Sequence, residues 1–90
     1  MKIPKRLKIG GHVFQVKIVP LENDLGKTQF TKGIITIDEE IPQSQKESTL
    51  IHEIFHCLNT TMDASTLGHA MLDSLSEQFY QVLKDNHLLR

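Results

Sequence analysis

Apolar and polar positions alternate through the first twenty residues and then, from about residue 43, recur every three or four, so the chain divides into a sheet half and a helix half. Leu7 and Ile9 alternate with Arg6 and Lys8, Gly10-Gly11 supplies the backbone freedom of a tight hairpin, and Phe14, Val16 and Ile18 then share one face opposite Gln15 and Lys17. A loop over 20–26 follows, with Asn23, Asp24 and Gly26 as turn formers. Residues 27–32 and 34–38 read as two short strands around Gly33, Ile35 and Ile37 alternating with Thr36 and Asp38. Because every connection is short, a four-stranded antiparallel sheet is the expected assembly.

Glu39-Glu40-Ile41-Pro42 closes the sheet and opens a helix expected over 43–60, with Pro42 in its first turn and the acidic pair at its N-terminus. At 100° per residue, Leu50, Ile51, Ile54, Phe55 and Leu58 fall on one arc of about 140°. Residues 60–65 lack a period and read as a loop, with Ser65 or Thr66 capping a second helix over 67–88. Its stripe is Met71, Leu72, Leu75, Phe79, Val82 and Leu83, and the end of the chain, His87 included, is expected to fray into solvent. The expected fold is α+β: one domain over 1–90, about four strands and then two helices.

Ninety residues with 39% hydrophobic content allow one modest core and no deep enclosed chamber. The net charge of −1 suggests neither a nucleic-acid nor a membrane partner. Pro4 and the Lys5-Arg6 pair suit an exposed sheet edge, and His12, alone on its strand, reads as a surface residue. The single cysteine, Cys57, favours a reducing compartment; it points about 100° away from His56 and reads as a buried or half-buried thiol, not a ligand. No apolar run is long enough to span a bilayer, and the N-terminus has no signal-peptide core, so a cytoplasmic location is expected.

The first helix carries the chemistry. His52, Glu53 and His56 spell HExxH, and on a helix the two histidines project one above the other, able to present imidazole nitrogens to one cation. Zinc suits such ligands, and a catalytic site wants a third protein ligand with the fourth position left to water. Glu53, about 100° around the helix, is placed to reach that water as general base. The third ligand is open between Glu77, Asp73 and His69, which lie in one line at i, i+4 and i+8 on the second helix. Whichever of Asp73 and Glu77 does not ligate is free to hold a histidine. Six residues after His56 stands Met62, which excludes the HExxHxxGxxH class. Asp73 and Glu77 lie nearly opposite the second helix's apolar stripe, so bringing them to the histidines requires the stripe to pack on the sheet or on a second copy in a homodimer. Tyr80 and His69 are the available oxyanion donors.

Gly33-Ile34-Ile35-Thr36-Ile37-Asp38, some ten polar residues, and then Thr49-Leu50-Ile51-His52-Glu53-Ile54-Phe55-His56 resemble the zincin peptidases of phages and mobile elements, in particular the ImmA/IrrE-like group. The segment Tyr80-Gln81-Val82-Leu83-Lys84-Asp85-Asn86 is similar to the ends of small phage proteins. The resemblance covers roughly residues 26–86, and HExxH is its specific part; Phe55 stands where many relatives carry glycine. It implies a minimal gluzincin-type core: a short antiparallel sheet, an active-site helix and a ligand-bearing helix. It also implies intracellular cleavage of a regulatory protein such as a repressor. The expected activity is that of a zinc-dependent metallopeptidase acting on a protein or peptide; the alternative is a non-catalytic, metal-containing binding module of a phage or mobile element. In metallopeptidases a sheet edge beside the HExxH helix holds an extended peptide, and the hairpin around Gly33 is the nearest stretch for that role.

Overall fold

Which strand takes the middle of the sheet is settled by hydrophobicity. The computed structural model describes residues 2–9, 12–61 and 68–85; the side chains at 58–61, 69, 72 and 82–85 lie outside the description. The strands are β1 (Arg6–Ile9), β2 (His12–Val19), β3 (Gly26–Gln29) and β4 (Ile34–Asp38), and the helices α1 (Gln43–Thr61) and α2 (His69–Asp85). The sheet order is β1-β2-β4-β3. β4, with three isoleucines in five residues, is buried on both faces from Ile35 to Asp38, whereas Gly-Lys-Thr-Gln of β3 forms an edge.

The α+β class and the order of strands and helices are as expected, but the sheet is mixed, not antiparallel throughout. β1 with β2 and β3 with β4 pair antiparallel, while β2 and β4 run parallel, Val16 opposite Ile35 and Ile18 opposite Ile37. After β2 the chain skips one position before laying down β3. A 3₁₀ turn over Phe30–Lys32 and Gly33 in the left-handed region (φ 65°) then fold β4 back into the gap. Short connections limit distance; they do not oblige consecutive strands to be neighbours. Asp38 ends β4 and fixes the adjoining loops, its Oδ1 accepting the backbone N–H of Leu21 (3.1 Å) and of Glu40 (3.2 Å).

α1 packs on the face that carries Phe14, Val16, Ile35 and Ile37. Together with Ile9, Leu50 and Cys57 these form the core, and Ile3, Leu7, Phe30, Ile41 and Ile54 pack around it. Phe14 and Phe30 meet at 5.6 Å between ring centroids. Ile18 shares the inward face by register yet stays exposed. His12 is exposed, as its isolation implied. The Gly10-Gly11 turn, Leu58, the 60–65 loop beyond Thr61, the caps Ser65 and Thr66, the side chains of Leu72, Val82 and Leu83, and the chain end with His87 lie outside what is described.

α2 lies against α1 with its polar side inward. Ser76 is fully buried at this contact, and Met71, Leu75 and Phe79, at i, i+4 and i+8, are 59%, 40% and 44% exposed. These three members of a stripe that would ordinarily seek the core face outward, and Phe79 meets the flank of α1 at Phe55, edge to face at 5.5 Å. No helix among the described residues is long and apolar enough to cross a membrane.

Candidate metal centre

One turn of α1 separates His52 and His56, and the fold aims both rings the same way: the two Nε2 atoms are 2.9 Å apart. Nδ1 of His52 is held from α2, with Asp73 Oδ1 at 3.1 Å and Ser76 Oγ at 3.2 Å. The carboxylate can only accept, and the serine proton is already given to the Asp73 carbonyl (3.0 Å), so both neighbours demand a hydrogen on Nδ1. In the neutral ring that tautomer leaves the Nε2 lone pair of His52 directed at His56.

Glu53 is 5% exposed, and its Oε1 accepts a 2.6 Å hydrogen bond from Thr28 Oγ1 on β3. This contact depends on a close approach of helix to strand. A Cβ on Gly26, two residues before Thr28 on the same face of β3, would stand 2.5 Å from Thr49 Cγ2, 3.1 Å from Thr36 O and 3.5 Å from Glu53 Cγ. Glycine at 26 therefore lets α1 settle low enough on the edge strand for Thr28 to grip Glu53. Cys57, one turn further along, is fully buried, and its thiol is pushed up to about 11, first by burial and then by the charge of Glu53, with a side-chain interaction with Thr28 acting the other way. A thiol so disfavoured as thiolate is a packing residue, in keeping with its reading from sequence.

The donor set suits a cation. One ligand atom from each of His52, Glu53 and His56 lies within 4.8 Å of the others. Two nitrogens held ~2.05 Å from a tetrahedral zinc stand ~3.3 Å apart, so the imidazole pair would have to open by only about 0.4 Å. These groups line a cleft of ≈ 760 Å³ between β3, α1 and α2 that also takes in Asp24, Lys27, Asp73 and Glu77. It is an open cleft, and the edge strand β3 forms one of its walls.

Of the residues singled out from sequence, His52, Glu53 and His56 converge, and Asp73 reaches His52 at the ring nitrogen facing away from His56. Glu77 lines the cleft and is exposed; the side chain of His69 is outside the described residues. Tyr80 is engaged elsewhere, its hydroxyl donating to the buried Glu47 Oε1 at 2.9 Å. Sequence reading missed Ser76, Thr28 and the packing role of Gly26. Only the i, i+3 relation of Ser76 to Asp73 and the i, i+2 relation of Thr28 to Gly26 hint at them, and neither hint has meaning until the elements are docked. No family model, curated protein or solved structure matches this chain.

Proposed function

We propose that this chain is a zinc-dependent metallopeptidase that hydrolyses a peptide bond in an extended protein segment. The observation that carries the reading is the convergence of two imidazole Nε2 atoms and the Glu53 carboxylate in an open cleft walled by a sheet edge. His52 and His56 would hold the metal. Asp73 already occupies the outer ring nitrogen of His52, the position from which a carboxylate orients a ligating imidazole and raises its basicity. We therefore give Asp73 the orienting role and assign the third ligand position to Glu77, in the same cleft. Zinc bound there supplies Lewis acidity and brings the pKa of a coordinated water near 7. Glu53 takes the proton of the attacking water and passes it to the leaving amine, with Thr28 restraining its Oε1. The free edge of β3 offers main-chain hydrogen bonds to an extended substrate.

The resemblance to ImmA/IrrE-like zincins of phages and mobile elements points to a regulatory protein as the substrate and to the cytoplasm as the compartment, where a lone thiol stays reduced. A second reading, a metal-containing binding module without catalysis, draws on the exposed Met71, Leu75 and Phe79. Zinc analysis combined with a quenched-fluorescence peptide library separates the two. Glu53→Gln is expected to keep its zinc and to lose about 10²–10⁴-fold in cleavage rate. Wild type that retains no zinc, or a Glu53→Gln variant that cleaves as well as wild type, sinks the peptidase reading.

A further inference from the structure

Charge is segregated along this chain in a way the net value conceals. Residues 1–20 contain Lys2, Lys5, Arg6, Lys8 and Lys17 and no Asp or Glu, a formal +5; with the whole chain at −1, residues 21–90 carry −6. The fold turns this imbalance into geometry. Paired residues share a face of a sheet, so the register places Arg6, Lys8, Val13, Gln15, Lys17, Val19, Lys27 and Gln29 together on the face away from α1, and every one of them is exposed. Lys17 and Lys27 flank Thr36 in one row, two strands or ~9.6 Å apart, and Arg6 and Lys8 lie ~6.8 Å apart along β1. Among the described residues none of these four cations is paired with a carboxylate. The face has one acid, Asp38, which is buried and turned to backbone N–H groups. A hollow of ≈ 540 Å³ beside this face is lined by Lys5, Arg6 and Lys17 together with the apolar Ile3, Pro4 and Ile18. The acids Asp24, Glu53, Asp73 and Glu77 line the cleft on the α1 side of the sheet, which Lys27 of the edge strand also borders.

We propose that the outer face of this sheet binds the phosphate backbone of double-stranded nucleic acid without reading its sequence. Its chemistry is that of a phosphate-binding surface: three lysines and one arginine, with Gln15 and Gln29 as further hydrogen-bond donors between them. A protein partner would want a desolvated aromatic or large apolar anchor at the centre, and lysine is depleted from such interfaces; here the apolar residues are Val13, Val19 and the partly buried Ile34. Single strands are held by stacking bases on aromatic rings, and this face carries none. The acidic cleft side repels a polyanion while the basic face attracts it, so the field also sets the orientation, with the cleft left clear.

The test uses the whole chain and a fluorescein-labelled duplex of about 20 base pairs, followed by anisotropy. Four phosphate contacts predict a log–log salt slope of about −3.6, or affinity falling on the order of 10²-fold between about 50 and 200 mM salt. Lys17→Gln combined with Lys27→Gln is expected to flatten the slope by about 2 and to weaken binding at low salt, while Lys46→Gln on α1 and His52→Ala in the cleft leave it unchanged. Circular dichroism of each variant establishes that the fold is retained. The proposal is overturned by absence of binding at low salt, by equal losses from Lys46→Gln, by preference for the single strand, by capture of polyglutamate in place of DNA, or by salt-sensitive self-association that occupies the face. Because the cleft variant is one of the controls, this outcome is independent of whether the chain is a peptidase.

Discussion

Replacing Gly26 by alanine adds one carbon, and the structure determines the sign of its effect. Gly26 is not in the left-handed region, so by itself the substitution should stabilise by about 0.4–1 kcal/mol through the unfolded chain. The new methyl would instead stand 2.5 Å from Thr49 Cγ2, where carbon atoms prefer at least ~3.5 Å, so α1 must recoil from β3 by about 1 Å. Overpacking of this kind costs about 1–3 kcal/mol, enough to reverse the entropic gain. The partner is identifiable: Thr49→Ser removes the colliding methyl and keeps the hydroxyl, losing roughly 0.8 kcal/mol alone. Combined with Gly26→Ala it should restore much of the lost stability, a coupling of about 1–2 kcal/mol, short of full recovery because Thr36 O would still lie 3.1 Å from the new carbon. Urea unfolding monitored at the helix band measures all four corners of the cycle. A Gly26→Ala variant as stable as wild type, or strictly additive effects, would refute the claim that helix and edge strand are in contact at this point.

Two further outcomes follow from the site. Asp73→Asn should weaken zinc binding about 10–100-fold in a chelator competition while leaving the urea midpoint nearly unchanged, since Asp73 is half exposed and acts on His52 from outside the metal; an unchanged affinity would remove it from the site. Cys57, with its thiol pushed up to about 11, should resist disulfide exchange reagents at pH 8, where roughly one thiol in a thousand is ionised, and react at the rate of unfolding. Its folded pKa is raised, so the neutral thiol's contribution to stability is complete below pH 9 and is lost as pH climbs towards 11; a Cys57→Ser variant should not show that loss, and a wild type with flat stability across this window contradicts the assignment.

The chain's local patterns settled a good deal unaided. The change of period near residue 43 divided sheet from helix, because side-chain direction repeats every two residues in a strand and every 3.6 in a helix regardless of what is packed nearby. For the same reason His52 and His56 had to share a face of α1, and Glu53 had to lie beside them. What required the tertiary structure was every relation between elements. The order of the strands depended on β4 outcompeting β3 for the buried middle position, a contest decided by the whole sheet and by the Gly33 turn. The choice of Asp73 over Glu77 beside His52 depended on how α2 rolls against α1, with Ser76 buried and Met71, Leu75 and Phe79 turned outward, against the ordinary preference of an amphipathic helix. The grip of Thr28 on Glu53 depended on a missing Cβ one strand residue-pair away. Periodicity is local and survives in any context, whereas docking is a compromise among many distant contacts, and no single stretch of the chain records its outcome.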